Sequence, residues 1–212
     1  MTYTHADQIA RDKERETDDV MFPGGVKQML GFIYAMEGEI FRSLSWHAKM
    51  MILRESFDMG YVRPFSLHKI NMKGAEPVQV NGECAGLRQQ VEDLFGPGNE
   101  LCAVLAKWGR DDLEYTCVAV KTVSSGLRER LTMGVRKAQR STKYCEDLIW
   151  HECCCLALYD KRYNITSISN RNDVTQNMVS RDASEAKRYI SNLLHKAYAK
   201  IEEKFKDGVV LP

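Results

Sequence analysis

LCAVLAKWGRDDLEYTCVAVKTV, residues Leu101 to Val123, is the stretch on which the fold turns. Two apolar runs flank Gly109-Arg110-Asp111-Asp112, and glycine and aspartate are turn-forming residues. If those four residues make a loop, Trp108 faces Leu113 and Lys107 faces Glu114. Side chains alternate along a strand, so Cys102, Val104, Ala106 and Trp108 would share a face with Leu113, Tyr115, Cys117 and Ala119. That face is apolar, and Lys107 and Glu114 pair on the other. The pattern predicts a β-hairpin with Cys102 and Cys117 in the core, where free cysteine usually lies.

Working outward, Ser124-Ser125-Gly126 would close the second strand. A basic segment from Leu127 to Lys143 then reads as helical in at least its second half. A second hairpin is expected over Leu148 to Ser169, turning at Asp160 to Tyr163, and Asn170 to Arg181 reads as a polar loop. A last helix is expected to start at Asp182, with Glu185 as its capping partner. Ala186, Ile190, Leu193, Ala197, Ile201 and Phe205 give that helix one apolar face, and Gly208 ends it.

Upstream, Met1 to Asp19 is a polar arm and Phe22-Pro23-Gly24-Gly25 a turn. Val26, Met29, Leu30, Ile33, Met36, Ile40, Phe41 and Leu44 recur at three and four, which predicts an amphipathic helix. A second helix is expected over Trp46 to Asp58. Tyr61 to Met72 and Pro77 to Val80 read as extended, with a turn at Lys73-Gly74. Asn81 to Phe95 reads as a helix stopped by Gly96-Pro97-Gly98. The expected fold class is α+β: a mostly antiparallel sheet of hairpins, about six strands, with helices on one face and an N-terminal helical extension. Residues 1–22 form the arm and 23–212 a single domain, helical over 23–60 and built of hairpin–helix units over 61–212.

The composition is that of a globular protein: 212 residues, 44% hydrophobic and 28% charged. Net charge is +1, so any anion binding must come from local clustering. The seven cysteines are an odd set, and the chain opens without a secretory pattern. Both features point to a reducing intracellular compartment, the cytoplasm, with free thiols. No apolar run is long enough to span a bilayer, so no membrane association is expected.

Trp150 to Cys155 (WHECCC) invites a metal reading. On a strand, His151, Cys153 and Cys155 would share one face and Glu152 and Cys154 the other. Structural zinc prefers paired ligands on turns, and no CxxC pair occurs. The expectation is a strand of small side chains holding no metal. The chain has no phosphate-binding glycine loop, dinucleotide fingerprint or HExxH motif, so no cofactor is expected. A metal-dependent hydrolase or nuclease would have to draw on Asp111, Asp112, Glu114 or His151. That reading stays an alternative behind a non-enzymatic one, because turns favour aspartate without any catalysis.

The segment from Gly126 to Lys143 (GLRERLTMGVRKAQRSTK) carries the functional expectation. Arg128, Arg130, Arg136, Lys137, Arg140 and Lys143 face one acid, Glu129, for a local charge of +5. On one helix, Arg136, Arg140 and Lys143 would share a face at i, i+4 and i+7. Unbalanced arginines suit phosphate oxygens, which they grip with two parallel N–H donors. Lys161 and Arg162 in the next turn, and Arg171 and Arg181 in the loop after it, add charge, and Tyr144, Trp150, Tyr159 and Tyr163 could stack on bases. The expected function is binding of single-stranded nucleic acid or RNA through these residues. The alternatives are an accessory protein using the same patch for a protein or small nucleotide, and a solvated helix face without a partner. An oligomer face along Ala186 to Ile201 is a further option.

Overall fold

The computed structural model describes residue 22 and residues 25–35, 77–109, 114–132, 140–153 and 163–206. Among the described residues there are seven helices and no strand. They are α1 (Gly25–Ala35), α2 (Pro77–Phe95), α3 (Asn99–Trp108), α4 (Glu114–Thr132), α5 (Thr142–Cys153), α6 (Ile165–Asn172) and α7 (Gln176–Phe205). The expected α+β sheet of hairpins is therefore wrong over these residues, and the chain is all-helical there.

The first hairpin fails for a physical reason visible in its burial. In α4 the buried residues are Thr116, Ala119, Val120, Val123, Ser124, Leu127 and Leu131. They recur at three and four without a break, straight through the Ser-Ser-Gly triplet read as a strand end. The β-branched residues of α4 each weaken a helix by only tenths of a kcal/mol, and packing of a continuous apolar stripe outweighs that. Three of its hydroxyls bond within the helix: Ser124 and Ser125 donate to the Lys121 carbonyl and Thr122 to that of Val118. At Gly126, α7 comes close. A Cβ at this position would collide with the Tyr189 hydroxyl.

In α3 the alternation was real but uninformative. A short run that is apolar on several sides fits a buried helix as well as a strand. Ala103, Val104, Ala106 and Trp108 are all buried, although the hairpin reading put Val104 and Ala103 on opposite faces. Trp108 donates its indole N–H to the Tyr198 hydroxyl at 2.9 Å. Lys107 reaches not Glu114 but the main-chain carbonyl of Glu152, at 3.3 Å. Cys102 and Cys117 are half-buried rather than core residues.

The second expected hairpin is also helical where described. Tyr144, Cys145, Leu148, Ile149 and Cys153 are buried at helical spacing in α5. Ser141 starts α5 by accepting the Tyr144 backbone N–H at 3.1 Å. Asn164 caps α6 in the same way through the Ser167 N–H at 2.7 Å. Asp173, at φ 51, turns the chain out of α6.

The last helix was expected, but it begins six residues earlier than read. Thr175 caps it, so the Asn170 to Arg181 loop is largely helix. Ala186, Ile190, Ala197, Ile201 and Phe205 are buried, and the face offered to an oligomer partner is occupied by this chain's own core. α7 packs against every other described helix. The helix over Asn81 to Phe95 is present as α2, and the Pro77 to Val80 stretch read as extended is its first turn. Proline fits there because the first helical N–H needs no partner. Gly96, at φ 57, ends α2. In α1, Val26, Met29, Leu30 and Ile33 are buried as expected.

The polar arm, the helix over Trp46 to Asp58, the extended stretch over Tyr61 to Met72 and the turn at Asp160 to Arg162 lie outside the described residues. Among the described residues, no helix is long and apolar enough to cross a membrane.

Candidate functional site

The basic segment divides between the end of α4, residues 133–139 and the start of α5. Arg128, Arg130 and Lys143 are exposed, whereas Arg140 is 5% exposed. Arg140 precedes α5 rather than sharing a helical face with Lys143, which corrects the expected Arg136, Arg140, Lys143 stripe. Arg136, Lys137, Lys161 and Arg162 lie outside the described residues.

Arg140 is a structural clamp. Its Nε donates to Oδ2 of Asp182 at 2.9 Å and its Nη2 to Oδ1 at 3.0 Å. Nη1 donates to the Leu131 carbonyl near the end of α4. The Tyr144 hydroxyl adds a bond to Asp182 Oδ2 at 3.2 Å. One guanidinium thus ties the end of α4, the start of α5 and α7 together. The Asp182 carboxylate beside it raises the Arg140 pKa. Burial, reinforced by Asp182, pushes the Tyr144 phenol up, so it stays neutral and donates. The adjacent Cys145 thiol is pushed up to about 12, chiefly by burial. It is an inert core group.

Two exposed cations, Arg128 and Arg181, lie against this clamp. Arg128 reaches across from α4, with Nε 3.0 Å from the Arg140 carbonyl and Nη1 3.5 Å from the Thr142 hydroxyl. Arg181 lies against the same carboxylate as Arg140, its Nε 3.4 Å from Asp182 Oδ1, while its side chain stays 69% exposed. Arg130 sits 5.2 Å from the centre of the Tyr189 ring. Lys143 is in the first turn of α5. Three chain segments therefore present positive charge at one joint, although the cation expected at its centre is neutralised by Asp182. The sequence reading gave Arg181 as a loop cation and Asp182 as a helix start, and missed that Asp182 is the buried partner of Arg140. The signal was there: Asp182 falls between Val179 and Ala186 on the buried stripe of α7, where an acid needs a buried cation.

The other candidates are placed differently. His151 lies on α5, with Nδ1 2.7 Å from the Tyr163 carbonyl. Glu114 is exposed at the start of α4, and Asp111 and Asp112 lie outside the described residues. Cys84, Cys145 and Cys153 are buried free thiols. Cys154 and Cys155 lie outside the described residues. Among the described residues no group of three or more His, Cys, Asp or Glu side chains is placed to hold a metal ion. No protein-family model matches the chain, and no curated protein matches it in sequence.

Proposed function

We propose that this protein binds single-stranded nucleic acid or RNA through the joint between α4 and α5. The observation that carries the reading is the buried Arg140–Asp182 clamp. By fixing the two helix ends and α7 to one another, it holds Arg128, Lys143 and Arg181 in one exposed neighbourhood. Preorganised cations suit the phosphates of a flexible strand, because less side-chain freedom is lost on binding. The roles divide: Arg140 builds the joint, and Arg128, Arg130 and Lys143 meet phosphate, with Arg136 and Lys137 on the connecting segment.

Titrating the wild type and a combined Arg128→Gln, Arg130→Gln, Lys143→Gln variant with a fluorescent single-stranded RNA tests this. Each phosphate neutralised on a single strand contributes a log–log salt slope of about −0.7. Three lost contacts should flatten the slope by about 2. Arg140 is left intact so that the joint survives, and a melting curve checks that it does. Wild-type protein that binds no RNA at low salt, or a folded variant with an unchanged slope, would overturn the proposal.

A further inference from the structure

Trp150 and Tyr163 form an aromatic pair at the other end of α5. Their ring centroids are 5.8 Å apart with planes 30° from parallel. Arg171 adds a third layer, its guanidinium carbon 5.5 Å from the centre of the Tyr163 ring. Both rings are half-buried, and the Arg171 side chain is 31% exposed. The ladder is braced from beneath. Arg171 grips Asp147 through Nε at 3.1 Å and Nη2 at 3.0 Å, and Asn172 donates to the same carboxylate at 2.8 Å. His151 sits 2.7 Å from the Tyr163 carbonyl and fixes that residue's backbone. Trp150 and Arg171 both lie against the Tyr163 ring, and Trp150, packed against the core on one side, keeps part of its surface exposed.

We infer that Trp150, backed by Tyr163, stacks on a base of the bound single strand. The inference rests on the reading above and adds a base contact to the phosphate contacts. Lys143 and Trp150 are seven residues apart on α5, two turns, so they share one face about 10.5 Å apart along the axis. Glu146 lies between them and disfavours a phosphate over the middle of that face. Stacking tolerates any base, since every base has a π-face, and the contact therefore gives affinity without sequence preference. Arg171, anchored by Asp147, backs the Tyr163 ring from which Trp150 is supported.

The test compares a thymidine oligonucleotide with an abasic deoxyribose-phosphate oligomer of equal length. Both are titrated against wild type, Trp150→Leu and Trp150→Met. Wild type should prefer the base-bearing strand by about tenfold, the scale of one aromatic stack. The variants should lose that preference while keeping the abasic affinity and the salt slope. Equal wild-type affinity for the two strands overturns the stacking contact and leaves the phosphate reading standing. A preference that persists in whichever variant folds also overturns it. Wild type that binds neither strand removes both proposals.

Discussion

Arg140 and Arg171 make the same bond in different surroundings. Each grips an aspartate with Nε and Nη2, at 2.9 and 3.0 Å for Asp182 and at 3.1 and 3.0 Å for Asp147. The first pair has side-chain exposures of 6% and 2%, the second 31% and 8%. Burial decides what each arginine is for. A desolvated guanidinium cannot leave its carboxylate for a phosphate, because the carboxylate would stay behind uncompensated. An arginine at the surface keeps one side toward solvent and can meet a ligand while remaining anchored. Charge in the sequence therefore marks candidates, and depth sorts them into scaffold and contact.

The largest expected effect tests the buried side of this contrast. Arg140→Ala should cost about 3–5 kcal/mol in urea unfolding, the usual loss when one partner of a buried pair is removed. Asp182 would keep Tyr144 and the exposed Arg181, which bounds the loss from above. Replacing both partners together, Arg140→Met with Asp182→Leu, should recover much of it, since a buried pair is often no more stabilising than apolar residues of similar volume. A loss below about 1 kcal/mol for Arg140→Ala would mean that water reaches the pair. The contrast with Arg171 would then collapse.

Arg171→Ala supplies the other half. The pair is partly solvated, and the expected cost is about 0.2–1 kcal/mol, the range of surface pairs. The lost contact with the Tyr163 ring contributes on the same small scale. A cost comparable with that of Arg140→Ala would place Asp147, not Asp182, at the structural centre of the molecule.

What the sequence made legible follows the same division. The apolar stripes of α1, α2 and α7 were readable because their spacing is helical and their flanks are polar. The stretch from Leu101 to Val123 was misread because its residues fit both periods. In the sequence Trp108 and Leu113 flank a turn-like GRDD, and Ser124-Ser125-Gly126 looks like punctuation. The arbiter was Leu127 and Leu131, which continue the i, i+3, i+4 series of Thr116, Ala119, Val120 and Val123 beyond the triplet. At the candidate site the basic cluster was visible as composition. Its inner member was not, because Arg140 differs from Lys143 only in having Asp182 42 residues away. Pairing over that distance leaves no trace in local spacing, apart from an acid on an apolar stripe.

Glu152 extends the comparison to a carboxylate with burial but no grip. Among the described residues it has no ion pair, only the fields of His151, Lys187 and Lys107, and burial raises its pKa above the ordinary 4.5. Lys107 bonds its main-chain oxygen instead. A raised folded-state pKa means that the folded protein holds its proton to higher pH than the unfolded chain does. Stability is therefore unaffected below the ordinary glutamate range and falls as pH rises through the window just above it. Glu152→Gln should melt with the wild type near pH 4 and about 1 °C higher at pH 7, a small effect because the side chain is only half-buried. The lysine contact to the backbone is unchanged in that variant, so the difference reports the carboxylate alone. A variant that melts below wild type at pH 7 would mean that the surrounding cations outweigh desolvation. Glu152 would then belong with Asp147 as a gripped carboxylate, and depth alone would not sort the charges of α5.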